Sequence, residues 1–281
     1  MVIPAAGLGT RLLSITKEIP KEMLPLYIIN SKKDICLKPI VQIIFEQLFK
    51  TGFREFCFIV GRGKRTIEDH FSPDYRYVEK LRTLGNTQPA EELEVFYKKI
   101  EESSIVWINQ PEPQGFGKAV LLAKTFTNQE PFLVHAGDTY ITSKKENHLN
   151  HFVKIQKEEA ILSLIKVKET KHYGIAEILG SNQPYKVKKV IEKPEIAPTN
   201  LALMPIYVFT KNIYDALEKT EPGKKGEIEL TDGIQKMIEW NQNVVAHDIT
   251  GALHLDIGTP ENYWQALEQS HKYLANNKKN I

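Results

Sequence analysis

Apolar residues fall in short runs separated by polar, glycine-marked turns, and the first run opens the chain. Residues 1–6, Met1-Val2-Ile3-Pro4-Ala5-Ala6, predict a short buried strand. A glycine turn and a polar loop follow, punctuated by Pro20 and Pro25. From Pro39 the spacing becomes helical: Ile40, Ile43, Ile44 and Leu48 share a face, and Gly52 stops the helix. Residues 56–60, Phe-Cys-Phe-Ile-Val, are continuously apolar and closed by Gly61. Such a run fits a strand covered on both faces, as in a parallel sheet. Residues 105–108 read as a strand, 118–126 as a helix, and 132–136 as a strand running into Gly137-Asp138. Strand–helix alternation over the first 140 residues predicts a doubly wound sheet with right-handed crossovers.

The stretch 71–104 is polar and breaks the alternation, so it is read as an insertion, partly helical, outside the sheet. Beyond residue 150 the signals mix. Residues 160–167 and 201–209 read as strands, and 175–179 and 187–191 as a hairpin-like pair around Gly180-Ser-Asn182. Residues 228–240 form an amphipathic pattern, and Thr259-Pro260 opens a C-terminal helix spanning 259–281. No linker and no fixed-period repeat divides the chain, so 1–281 reads as a single α/β domain.

Composition narrows the class. The 281 residues carry 37 Lys plus Arg against 35 Asp plus Glu, a formal charge of +2. That balance argues against a nucleic-acid surface, which shows a basic excess. Two cysteines, Cys36 and Cys57, make no disulfide framework and fit a reducing compartment. No apolar run approaches the ~20 residues that span a bilayer, and no signal peptide is visible. A cytoplasmic protein with no membrane partner is expected.

Several polar groups could carry chemistry. Gly7-Leu8-Gly9-Thr10-Arg11 follows the first strand, where glycines let backbone N–H groups cradle phosphate or simply make a tight turn. Leu12 stands where a dinucleotide fingerprint needs its third glycine, and Walker spacing is absent. Arg11, Lys17 and Lys21 crowd this loop at the carboxyl end of a strand, the ligand end of α/β sheets. A polyphosphate is their natural counter-ion. Asp138 and Asp256 each follow an apolar stretch and are either turn residues or ligands for Mg²⁺, which takes one or two carboxylates plus substrate phosphates. Gln110, before Gly117-Lys118, either reads a base edge or lies in a surface loop. Glu192-Lys193-Pro194 is a solvated pair or a grip on a sugar hydroxyl and a phosphate. His148 and His151 lack zinc partners, and no nucleophile elbow occurs.

Together these segments resemble nucleotide-sugar pyrophosphorylases. The resemblance runs through Pro4-Ala-Ala-Gly7-Leu-Gly9-Thr-Arg11 and Thr16-Lys17-x-x-Pro20-Lys21-Glu22-Met23-Leu24-Pro25. It continues through Gly61-Arg-Gly-Lys64-Arg-x-Ile67-Glu68-Asp69-His70-Phe71, Glu192-Lys-Pro194, Ala197-Pro-Thr-Asn200 and Gly226-Glu-Ile-Glu-Leu-Thr-Asp232. The wording is that of bacterial-type UTP–glucose-1-phosphate uridylyltransferases, and it spans residues 1 to about 270. Ser14-Ile15 and Lys118 depart from the family's usual Pro-Ala and His without removing a ligand group.

The resemblance implies a Rossmann-like nucleotidyltransferase fold, with a mixed central sheet and helices on both faces. It implies UTP plus glucose 1-phosphate going to UDP-glucose plus pyrophosphate, with Mg²⁺ as cofactor and a homodimer or homotetramer. By the same carry-over, Gly7, Gly9, Thr10 and Arg11 hold the nucleotide and its phosphates, and Lys21 binds the triphosphate. Glu22 lies near the base, and Gln110 and Gly115 contact uracil. Asp138 and Asp256 hold Mg²⁺, while Gly174, Glu192 and Lys193 grip the sugar phosphate. Arg11, Lys21 and Asp138 are the expected catalytic groups. The alternatives are a thymidylyltransferase or dual UTP/dTTP enzyme, and a non-catalytic nucleotide-sugar sensor.

Overall fold

In a computed structural model, which describes residues 1–30, 32–143, 148–152, 157–223 and 226–277, the chain opens with β1 (Val2–Ala5) and a hairpin of β2 (Pro25–Ile29) and β3 (Ile35–Pro39). Next come α1 (Ile40–Lys50), β4 (Glu55–Gly61), α2 (Arg65–His70), α3 (Tyr75–Thr83), α4 (Thr87–Glu101) and β5 (Ser104–Gln110). Then follow α5 (Phe116–Leu122), α6 (Lys124–Thr127), β6 (Phe132–His135), β7 (Thr139–Thr142), β8 (Ala160–Lys166), β9 (Gly174–Leu179) and β10 (Tyr185–Glu192). The chain finishes with β11 (Leu201–Phe209), α7 (Asn212–Glu218), α8 (Leu230–Glu239), β12 (Val244–Asp248), β13 (Leu253–Asp256) and α9 (Pro260–Asn277).

Among the described residues nine strands form one mixed sheet in the order β5-β4-β1-β6-β11-β8-β12-β10-β9. β5, β4, β1 and β6 run parallel, and β11 pairs antiparallel to both β6 and β8. Two small ladders, β2–β3 and β7–β13, lie outside it. The apolar runs are continuous because successive side chains enter opposite cores. In β4, Phe56, Phe58 and Val60 join one buried cluster while Cys57 and Ile59 join the other. β1 and β11 divide the same way, so helices cover both faces.

Apart from Ser104, the first residue of β5, the segment 71–104 lies outside the strands, but it is more than an insertion. Its α4 places Phe96, Tyr97 and Ile100 in the core beside Phe45 and Phe71, and it serves as the crossover from β4 to β5. Burying a Phe there is worth about 3–5 kcal/mol against alanine. Three other expectations shift. The helix expected over 118–126 is two, broken at Ala123. The helix expected from 228 begins at Leu230, because the Ile228 N–H donates to the Gln114 carbonyl (2.8 Å) and its carbonyl accepts from Gly117 N–H (2.9 Å). Residues 226–229 are thereby held as a brace rather than a helical turn. The C-terminal helix is described as far as Asn277, and 278–281 lie outside the described residues.

Two buried histidines set an acid limit on this fold. His135 at the end of β6 is fully buried, and burial lowers its pKa from 6.5 to about 4. Burial does the same to His148. The unfolded chain takes up these protons near pH 6.5, whereas the folded chain resists until about 4. Stability is therefore present above the unfolded value and lost as pH falls toward the folded one, by at most about 3 kcal/mol per histidine. Urea midpoints measured across this window should fall with acid, and a flat profile would contradict the assignment.

Candidate active site

The sheet reverses its winding at β1. From β1 the chain moves outward through β4 to β5, then returns to β6 on the other side of β1. Ligands in open α/β sheets bind beyond the carboxyl ends of strands at such a switch point. Two segments meet there, the Gly7–Met23 loop after β1 and Ala136-Gly137-Asp138 after β6. Gly137 allows the approach: its N–H donates to the Pro4 carbonyl at 3.0 Å, and a Cβ would sit 3.2 Å from that oxygen.

The loop after β1 is not a helix but three separate 3₁₀ turns anchored by buried Leu12 and Leu24. Gly9 turns it with φ +67°, and the Thr16 hydroxyl donates to the Gly9 carbonyl at 2.8 Å. Of the three cations that crowd the sequence here, Lys17 points away and pairs with Glu18 in solvent. Arg11 and Lys21 line the site. Beside the expected polyphosphate, Lys21 has a counter-ion within the protein. Its ammonium pairs with Asp138. Burial opposes both charges, yet the pairing holds Asp138 below the ordinary carboxylate value and Lys21 above the ordinary lysine value.

Two cavities meet at this pair. One, of about 340 Å³, is walled by Gly7, Gly9, Thr10, Glu22, Gln110 and Gly115. The other, of about 500 Å³, is walled by Gly174, Glu192, Lys193, Thr231 and Asp256. Arg11, Lys21 and Asp138 line both. Every residue that the resemblance assigns to the site thus borders one cavity or the other, whereas Lys17 borders neither.

In the first cavity Gln110 ends β5 beside Gly61 of β4, and its amide donates to the Gly115 carbonyl at 3.4 Å. Gly115 sits at φ +99°, where a Cβ would lie 2.6 Å from the Ile228 oxygen. The brace at 226–229 therefore fixes this wall. Glu22 is 1% exposed and accepts from Lys64 Nζ at 2.6 Å.

In the second cavity the β9–β10 register sets Gly174 opposite Glu192. A Cβ on Gly174 would lie 2.9 Å from the Thr231 hydroxyl and 3.2 Å from Glu192 Oε2. The Thr231 hydroxyl donates to that same oxygen at 2.7 Å, while Lys193 pairs with Glu192 Oε1. Lys193 has φ +39°, a left-handed value costly for a side-chain residue, and its N–H donates to the Tyr173 carbonyl. Glu227 and Glu229 also face this cavity. Burial and the charge of Glu192 push the Glu229 and Asp232 carboxyls up.

Asp138 and Asp256 are brought together by the β7–β13 ladder, in which Asp256 pairs with Thr139, the residue after Asp138. Asp256 is oriented by Asn262 Nδ2 (2.6 Å) and the Gly258 N–H (3.0 Å). Among the described residues no group of three or more acidic, histidine or cysteine side chains gathers to hold a metal. Two neighbouring carboxylates with oxygen donors only suit a hard divalent cation whose remaining ligands come from substrate phosphates and water. Lys64, Thr231, Asn262 and the Glu227–Glu229 brace were not assigned roles from sequence. Lys64, Thr231 and the brace lie inside recognisable motifs, but only the fold reveals their partners.

Comparison with known proteins finds relatives over nearly the whole chain. The nucleotidyl transferase family model matches residues 1–273. The UTP–glucose-1-phosphate uridylyltransferase of Bacillus subtilis (strain 168) is 39% identical over 265 residues, 92% of this chain and 85% of the relative. The Pseudomonas aeruginosa enzyme of the same name is 34% identical over 281 residues, 97% of this chain and 96% of its own. A crystal structure of UDP-glucose pyrophosphorylase complexed with UDP-glucose superposes with a TM-score of 0.81. It has 29% identity and covers 97% of this chain and 98% of that one. No described helix is long and apolar enough to cross a membrane.

Proposed function

Because the chain belongs to the nucleotidyl transferase family, we propose that it joins UTP to glucose 1-phosphate, releasing pyrophosphate and forming UDP-glucose. The observation that carries this reading is the continuity of two cavities at Arg11, Lys21 and Asp138. A bisubstrate site for two phosphorylated molecules needs that arrangement, with the reacting phosphates at the junction.

The nucleotide occupies the first cavity, its base against Glu22, Gln110 and Gly115 and its phosphates over Gly7, Gly9, Thr10 and Arg11. The sugar phosphate occupies the second, held by Gly174, Glu192 and Lys193. Its phosphate oxygen attacks the α-phosphorus of UTP. One P–O bond forms, and the bond from the α-phosphorus to the bridging oxygen breaks as pyrophosphate departs. The nucleophile is already anionic, so no general base is required. Holding the two substrates in line supplies roughly 7–11 kcal/mol of the barrier. Arg11 and Lys21 offset charge on the α-phosphate and the leaving group. Asp138 and Asp256 would hold Mg²⁺, which when bound screens the repulsion between the two anions. The Lys21 ammonium, which lines both cavities, would be shared between Asp138 and the phosphates. The protein acts in the cytoplasm as a homodimer or homotetramer.

The test is pyrophosphate release by the purified protein over a panel of nucleoside triphosphates and sugar 1-phosphates, with and without Mg²⁺. Highest kcat/KM with UTP and glucose 1-phosphate is expected. Preference for dTTP would assign thymidylyl transfer, and absence of turnover with every pair would leave only a binding protein.

The sugar end gives a separate prediction. Thr231→Val removes the hydroxyl that orients Glu192. A lost hydrogen bond to a charged group is worth about 1.5–3 kcal/mol, so KM for glucose 1-phosphate should rise about tenfold with KM for UTP unchanged. Thr231→Ser should restore it. Equal KM values in the valine variant would remove Thr231 from the site.

A further inference from the structure

We propose that Lys64 is a positioning residue that keeps the Glu22 carboxylate ionised as a fixed hydrogen-bond acceptor, and so selects bases that carry a proton at ring N3, uracil or thymine, over cytosine. The inference rests on the nucleotidyl-transfer reading above.

Lys64 and Glu22 are 42 positions apart in sequence and 2.6 Å apart at Nζ and Oε2. The lysine is 7% and the glutamate 1% exposed. Ion pairs in solvent contribute little, but a buried acid that loses its hydrogen-bonded cation shifts toward its neutral form. The backbone holds Lys64 firmly. Its N–H donates to the Gly61 carbonyl at 3.2 Å, and its carbonyl accepts from Ile67 N–H at 2.9 Å. Gly61 pairs with Gln110 in the sheet, and a Cβ on Gly61 would lie 3.0 Å from the Ala6 oxygen. The loop bearing Lys64 is therefore seated against two walls of the nucleotide cavity. Glu22 and Gln110 line that cavity, whereas Lys64 does not, so it acts through Glu22.

Three charges face Glu22: Lys64, its neighbour Lys21, and Asp138. Burial holds the Glu22 carboxyl above the ordinary carboxylate value; Lys64 and Lys21 limit that rise, and Asp138 opposes them. Lys21 is committed to Asp138 and, in the reaction proposed above, to phosphate. Lys64 is then the cation dedicated to Glu22. An ionised carboxylate only accepts hydrogen bonds, while a protonated one also donates. Uracil and thymine present N3–H to such an acceptor. Cytosine presents a lone pair at N3 and is repelled. Charge on a buried acceptor thereby becomes base selectivity.

The experiment compares Lys64→Met, Lys64→Arg and the double variant Glu22→Gln/Lys64→Met with Glu22→Gln and wild type, using UTP, CTP and glucose 1-phosphate. In Lys64→Met, KM for UTP should rise about tenfold or more and the UTP-over-CTP preference shrink by a similar factor. KM for glucose 1-phosphate should hold. The UTP defect relative to wild type should narrow as pH rises, because Glu22 ionises again, and Lys64→Arg should rescue it. Adding Lys64→Met to Glu22→Gln should change neither nucleotide KM, and this comparison stands even if the single methionine variant fails to fold. A wild-type KM and selectivity in Lys64→Met would overturn the inference. So would a defect indifferent to pH, an equal rise in both substrate KM values, or a further nucleotide loss in the Glu22→Gln background. Wild-type protein inert toward UTP would instead sink the functional reading.

Discussion

Asp138→Asn lowers kcat by about a thousandfold or more, because one side chain serves both cavities at their junction. The amide keeps the shape of the carboxylate but removes its charge. Two anionic substrates then meet with no paired acid to help hold a divalent cation, and the Lys21 ammonium loses its resting partner. Losing that partner also destabilises the fold, since Lys21 is left buried and uncompensated. The double variant Asp138→Asn/Lys21→Met separates the two effects. It should recover thermal stability relative to the single variant and remain inactive. Steady-state kinetics at saturating Mg²⁺, with melting curves as control, decide the matter. Near-normal turnover in a folded Asp138→Asn protein would show that the reacting centre lies elsewhere.

Gly115→Ala should cost about a hundredfold in kcat/KM for UTP. Two penalties coincide at this position. The backbone stands at φ +99°, and the new methyl would lie 2.6 Å from the Ile228 oxygen and 2.9 Å from its nitrogen. Left-handed strain alone costs about 1–3 kcal/mol, but the clash is with backbone and can be relieved only by moving the loop away from its brace. A displacement of about 1 Å at a substrate-positioning wall is enough for a hundredfold loss. Gly85→Ala is the control: it has φ +80° with nothing within 4 Å of the added methyl. It should show the strain in its melting temperature and leave both KM values alone. If the two variants behaved alike, the wall at Gly115 would not be positioning the nucleotide.

Much of this was legible in the sequence. Strands β4, β6 and β11 announce themselves because a sheet buried on both faces demands continuous apolar residues, and 56–60, 132–136 and 201–209 supply them. The β2–β3 hairpin was hidden because it lies outside the main sheet, where Lys38 and exposed Leu37 blur the alternation. β12 is short and ends in His247-Asp248, too polar to stand out. Segment 71–104 looked like an insertion because α3 is mostly solvated, while the few buried residues of α4 are spread along a charged helix. At the site, glycines and acids beside strand ends marked candidates, but pairings did not follow. The Lys21–Asp138 and Lys64–Glu22 pairs, and the ladder joining Asp256 to Thr139, connect residues far apart in the chain. Local spacing carries no trace of such contacts. They depend on the switch point folding β1, β4 and β6 side by side.

The most direct measurement is diffraction from crystals grown with UDP-glucose and Mn²⁺, recorded at the manganese absorption edge. The account predicts the uracil against Gln110 and Gly115, the glucose against Gly174 and Glu192, and a single anomalous peak shared by Asp138 and Asp256. Product bound outside the two joined cavities, or a metal peak away from both acids, would contradict it.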